Sequence, residues 1–176
     1  MSYFIKIFLL VILATPSMAV IVKLSDLQTM AKRSDIVVHG RVGEQTVTKD
    51  KLSRLITLTQ IEVIDSLYGA KTGEVVTVYQ VGGEKDGVVM PLLGGQKYSP
   101  GQEIFLFGLK LDNTYVSYGS GQGKLDIVNE NGVEVVKEDL GDVSIPTKSG
   151  AIKPVPDRFL GKNILKNEIR QMLKTR

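Results

Sequence analysis

The spacing of apolar residues along the chain changes several times, and each change predicts an element. Residues 1–19 hold one cation, Lys6, then an unbroken apolar run from Ile7 to Ala14, then Pro16-Ser17-Met18-Ala19. That order of charge, short apolar run and small-residue exit predicts a secretory signal peptide cleaved after Ala19, leaving Val20 as the mature N-terminus. The run is too short for the roughly 20 residues that span a bilayer as a helix. Next, Ser25-Asp26-Leu27-Gln28 reads as a capping box with Ser25 at the N-cap, opening a short helix that ends near Ser34.

From Asp35 the period falls to two and β-branched residues dominate. Strands are predicted at Ile36 to Val42, Leu55 to Leu67, Glu74 to Val81, Val88 to Leu93, Glu103 to Leu111, Thr114 to Tyr118, Leu125 to Val128 and Val133 to Val136. The breaks between them carry turn chemistry: Tyr68-Gly69, Gly82-Gly83, Gly94-Gly95, Ser99-Pro100-Gly101, Asp112-Asn113 and Asn131-Gly132. In the long second segment Ile56 and Leu58 share one parity and Ile61 and Val63 the other, which predicts a bulge that swaps the buried face. Many strands without intervening helices predict a mainly β protein, and a strand long enough to cross both halves of a small barrel favours an OB-like antiparallel Greek-key β-barrel. Residues 145–157 contain three prolines and no periodicity, as an extended linker would. Beyond them, Phe159, Leu160, Ile164, Leu165, Ile169, Met172 and Leu173 mark one face of a C-terminal amphipathic helix over 158–176. The division expected is therefore signal peptide 1–19, barrel 20–144, linker 145–157 and basic helix 158–176.

A set of short motifs carries a family resemblance: Ser34-Asp35-Ile36-Val37-Val38-His39-Gly40-Arg41-Val42, Ile61-Glu62-Val63-Ile64-Asp65-Ser66-Leu67-Tyr68-Gly69, Pro100-Gly101-Gln102-Glu103-Ile104-Phe105-Leu106-Phe107 and Gly121-Gln122-Gly123-Lys124-Leu125. In this order they resemble the OB-fold body of netrin-like domains and tissue inhibitors of metalloproteinases, and also small exported bacterial proteins of uncharacterised function. The resemblance covers about residues 24–130 and implies a fold more than an activity. In those inhibitors an N-terminal cysteine chelates the target's zinc and disulfides lock it in place. Here Val20 takes that position and the chain has no cysteine. Inhibition through the Val20 amine and carbonyl is thus an alternative to be tested.

Composition narrows the chemistry. Without Cys there can be no disulfide, thiolate nucleophile, zinc finger or Cys-ligated cluster, and one His cannot supply a two-imidazole site. The net charge of +3 is uneven: residues 20–145 carry 13 Lys/Arg against 17 Asp/Glu, whereas 146–176 carry 8 against 2. Lys162, Lys166, Arg170 and Lys174 follow one another at four-residue spacing along an edge of the helix's apolar face. They could meet an anionic membrane surface or an acidic partner, or solvate a helix packed on the body. Gly119-Ser120-Gly121-Gln122-Gly123-Lys124 lacks the spacing of a phosphate loop and reads as a glycine-rich turn. His39, near Ser34 and Asp35, is the one candidate for a hydrolytic site, but no nucleophile motif accompanies it. Glu130, Glu134, Glu138, Asp139 and Asp142 have no metal-loop spacing. Nucleic acid is not expected, because the body is acidic and its aromatics are not interleaved with cations.

These observations lead to an exported, non-enzymatic binding module, periplasmic or secreted, with no cofactor and with another envelope or extracellular protein as partner. The contact residues expected are Val20, Tyr98, Tyr115, Tyr118, Gln122 and Lys124, on loops such as 81–98 and 115–124, with Lys162, Lys166, Arg170 and Lys174 on the helix.

Overall fold

The first helix, α1 (Leu27–Arg33), starts one residue later than its sequence suggests, because Asp26 and not Ser25 is the N-cap. The Asp26 carboxylate accepts from the Thr29 backbone N–H at 2.7 Å, satisfying a donor that the first turn leaves unpaired. This computed structural model describes residues 25–92, 96–138, 144–146, 152–154 and 159–176, with the backbone alone at 144–146, 152–154 and 159–160. The signal-like segment, Val20, Asp139, Asp142 and most of the Pro-rich stretch lie outside the described residues.

The protein is mainly β. Strands β1 (Ile36–Lys49), β2 (Leu55–Tyr68), β3 (Val75–Val81), β4 (Gly83–Lys85), β5 (Val88–Met90), β6 (Glu103–Leu111), β7 (Thr114–Ser117), β8 (Lys124–Glu130) and β9 (Val133–Lys137) follow the predicted order, except that β4 begins at Gly83, where a turn was expected. β1 runs further than Val42, to Lys49, and Tyr118 leaves β7 to begin the tight turn Tyr118–Gly121. Three more strands, β10 (Ser144–Pro146), β11 (Ile152–Pro154) and β12 (Phe159–Gly161), precede helix α2 (Lys162–Leu173). All three correct the sequence reading. β10 and β11 pair with each other inside the expected linker. Phe159–Gly161 is not the first helical turn but a strand paired with β9, and Gly161 in extended conformation caps the helix without a side-chain bond.

Pairing in the main sheet runs β1-β2-β3-β7-β6-β8-β9-β12, and β1 also pairs with β6. The hydrogen-bonded path β1-β2-β3-β7-β6 thus returns to β1. All contacts on this path are antiparallel except β3 with β7, which is parallel at Val78 and Tyr115. Register shifts in β1–β2 fall between Val42 and Gln45, His39 and Gly40, and Val37 and Val38. The first lies opposite the predicted slip in β2, but the extra residue belongs to β1, where Gly43 and Glu44 together face Gln60. At the second, a Cβ on Gly40 would come within 2.5 Å of the Ile61 side chain and 2.8 Å of the Glu62 carbonyl. A residue with no side chain is what allows the two strands to approach there.

Alternation along β1 and β6 separates two cores. Ile36, Val38 and Val42 join Ile61, Val63, Val76, Val78, Tyr98, Ile104 and Leu106 on one face. On the other, Val37, Phe105 and Phe107 pack with Leu125, Ile127 and Val136 beneath Met30 and Ala31 of α1 and Leu165 and Ile169 of α2. Strand β6 is therefore buried on both faces from Ile104 to Gly108. This arrangement predicts that Ile169→Ala, which empties a fully buried site, costs about 2–5 kcal/mol in urea unfolding. Ile164→Ala on the outward face of the same helix, where Ile164 is exposed, changes stability by less than about 0.5 kcal/mol.

Candidate functional site

Of the residues predicted to form a contact surface, Tyr98, Gln122 and Lys124 are instead buried. Tyr98 is buried in the inner core, and burial pushes its phenol pKa well above the ordinary range. Lys124 is only 3% exposed. Its ammonium lies 2.5 Å from Asp126 Oδ1 and 5.5 Å from the centroid of the Tyr98 ring. Two glutamines tie down the surrounding backbone: Gln96 Nε2 donates to the Lys124 carbonyl at 3.2 Å and Gln45 Nε2 to the Tyr98 carbonyl at 2.7 Å. Tyr115 packs partly buried on the inner core and Tyr118 on the outer one. Gln122 is buried as well, accepting from the Ser25 backbone N–H at 2.8 Å and donating to the Gly119 carbonyl at 3.1 Å. It pins the N-terminal segment to the glycine-rich turn. Tyr98, Gln122 and Lys124 are thus internal supports and not surface contacts, while Tyr115 and Tyr118 keep part of their rings at the surface. Tyrosines and a lysine near turns read as exposed by composition, but the period-two pattern turns Lys124 and Asp126 away from the face occupied by Leu125.

Three of the four cations on the basic edge of α2 meet carboxylates of the body. Lys162 Nζ lies 2.7 Å from Glu134 and 3.8 Å from Glu103. Lys166 is paired with Asp65, and Arg170 reaches the same carboxylate at 2.8 Å. Lys174, past the helix end, is exposed. At the C-terminus, Arg176 donates to the Ser34 carbonyl at 2.8 Å and stacks its guanidinium 4.0 Å from the Tyr68 ring centroid. The helix thus crosses from β9 toward β2, meeting a body carboxylate at each cation from Lys162 to Arg170.

His39 lies under this helix on β1. Its Nε2 is 2.9 Å from Glu103 Oε2, while Glu103 Oε1 accepts from Arg41 at 3.0 Å. Its ring is 5.5 Å from the Phe105 ring. Asp35 and Ser34, the partners that sequence proximity suggests, are not bonded to the imidazole: Asp35 Oδ2 accepts from the Lys110 backbone N–H, and the buried Ser34 hydroxyl has no hydrogen-bond partner among the described residues. Burial outweighs the Glu103 hydrogen bond and, with Lys166 and Lys162 nearby, holds the imidazole pKa below its usual value. Glu103 is pulled the other way: partial burial opposes its ionisation, but the bonds from His39 and Arg41 prevail and keep it below the usual carboxylate range. Of the acidic run considered for metal, Glu130 pairs with Lys137 and Glu134 with Lys162.

Large apolar side chains are exposed singly at Val75, Leu111, Val133 and Ile164, and as a group at one end of two hairpins. Leu52, at the β1–β2 turn, is 72% exposed, and Val88 and Val89, on β5, are 59% and 67% exposed. The turn that carries Leu52 is stiffened by Asp50, whose Oδ1 accepts from the backbone N–H groups of Leu52 and Arg54, each at 2.9 Å, and whose Oδ2 accepts from Arg54 Nε at 2.8 Å. β4 and β5 pair over Gly83–Met90. Between the hairpins is a groove of about 250 Å³ whose walls include Lys49, Arg54, Leu55, Lys85, Val88 and Met90. Sequence reasoning placed Val88 and Val89 within a contact loop but passed over Leu52, although an apolar residue flanked by Lys51 and Ser53 is a legible signal. A scan of the sequence against models of known protein families finds no match, and a search of curated proteins finds no relative.

The Lys124–Asp126 pair gives a direct test of this layout. Asp126→Asn alone strands a buried cation and is expected to cost about 3–5 kcal/mol. Lys124→Met combined with Asp126→Leu recovers most of that loss in urea unfolding, because the pair is replaced by apolar volume.

Proposed function

We propose that the chain is an exported interaction module on an OB-like five-stranded barrel, contacting a partner protein through the tips of the β1–β2 and β4–β5 hairpins. Three features support the barrel reading: the pairing path that returns to β1, its parallel β3–β7 contact, and an inner core drawn from β1, β2, β3 and β6. Export is supported by the charge, apolar run and small-residue exit of residues 1–19.

The observation that carries the functional reading is the exposure of Leu52, Val88 and Val89 on pinned backbone. Because the backbone that carries these side chains is already pinned, binding need not order it, and their burial converts more efficiently into affinity. Cations at Lys49, Lys51, Arg54 and Lys85 surround these residues and would form the polar rim of such a contact. The interior is filled by side chains, so the barrel acts as a scaffold and the hairpins as the reader.

The test is capture from an envelope extract by the mature protein, compared with Leu52→Asp and Val89→Asp. Each variant should keep the wild-type unfolding midpoint and weaken the captured interaction roughly tenfold or more, as for anchor residues worth about 1–2 kcal/mol. Undiminished capture by both variants would contradict the assignment of the hairpin tips.

A further inference from the structure

We propose that His39 is an acid-operated latch on helix α2: neutral, it lets the helix dock on the sheet, and protonated, it loosens that docking. The inference is independent of the hairpin tips and rests on what surrounds the ring. His39 is 4% exposed, in a layer closed from above by α2. Nε2 meets Glu103, but Nδ1 is buried with no hydrogen-bond partner. The neutral tautomer with its proton on Nε2 satisfies Glu103 and leaves only a bare lone pair at Nδ1. Protonation adds an N–H at Nδ1, where no acceptor is in place, and an unmade hydrogen bond from a buried charged donor is costly.

The charges facing the ring act in the same direction. On β1 itself stands Arg41, on β6 Glu103, and on β2 Asp65, the register partner of His39. From α2 come Lys162 and Lys166, with Arg170 behind them on Asp65, and Glu134 of β9 shares Lys162. Three carboxylates, Glu103, Asp65 and Glu134, already serve four cations, Arg41, Lys162, Lys166 and Arg170. A fifth positive charge at His39 competes for Glu103 and repels the lysines that hold the helix. β1 and β6 have other supports on both faces, whereas α2 is held at this end by these ion pairs and by Leu165 and Ile169. The helix is therefore the element that yields.

The sign follows from the depressed folded-state pKa of the imidazole. The unfolded chain binds this proton more readily, so docking is at full strength above the ordinary histidine value and weakens as pH falls toward the folded-state one.

Amide hydrogen exchange of the full mature chain, corrected for intrinsic rates, tests the latch between about pH 7.5 and about pH 5. Wild-type amides of 162–173 should open severalfold more at the lower pH while β6 amides stay protected. In His39→Gln, which keeps a donor for Glu103 but cannot titrate, that pH response should vanish. A wild-type helix with unchanged protection, an equal response in His39→Gln, or uniform opening of β6 and α2 together would overturn the proposal. Because the chain has a single histidine, its imidazole can also be titrated by NMR in the unaltered protein, whatever the variant's folding. A helix-opening midpoint that does not coincide with the His39 midpoint would likewise overturn it.

Discussion

Strand β6 is apolar on both faces, and the rest of the molecule is arranged to cover it. Ile104 and Leu106 fill one core, and Phe105 and Phe107, both inaccessible to solvent, fill the other. A sheet with one solvated face would need an alternating sequence; this strand has none between Ile104 and Phe107. A second layer is therefore required on the sheet, and α1 and α2 supply it, covering Phe105 and Phe107 together with Leu125, Ile127 and Val136 of β8 and β9. The C-terminal helix belongs to the core of the protein, with Leu165 and Ile169 fully buried against that layer.

Placing a basic helix on this layer has an electrostatic consequence. Its inward cations would lose hydration without a return unless carboxylates met them, and Glu134, Glu103 and Asp65 do so from three different strands. Four residues of helix advance about 6 Å, so Lys162 and Lys166 reach carboxylates on different strands, while Lys166 and Arg170 share Asp65. His39 lies inside this charge lattice, which ties its protonation state to helix docking. The same docking occupies the apolar face that would otherwise be offered to a membrane surface.

Much of the strand order was legible in the sequence, because period-two alternation and glycine turns are local signals. β2 and β6 fall within a residue of their expected bounds. The misses are of one kind. Asp26 displaced Ser25 as N-cap by a difference of one residue in backbone conformation, and Phe159–Gly161 pairs with Val135–Lys137 instead of joining the helix, a choice made by a distant strand. The partner of His39 is 64 residues away, at Glu103, fixed by the β1–β6 register. Tyr98, Gln122 and Lys124 were expected at the surface because their types favour it, but Lys124 is turned inward by its place on β8, and Tyr98 and Gln122 are buried by the packing and hydrogen bonds of the loops that carry them. The site therefore was readable only where exposure is itself a local property, as at Val88 and Val89.

The most direct test of this account is thermal unfolding of the mature chain ended before Phe159, which removes β12 and α2 together. Because Phe105, Leu125, Ile127 and Val136 would be uncovered, the account predicts loss of the cooperative transition, or a large fall in its midpoint, with new binding of a hydrophobic dye. A truncated chain that unfolds cooperatively at the full-length midpoint and binds no dye would show the helix to be an appendage, and would contradict the two-sided core on which the account rests.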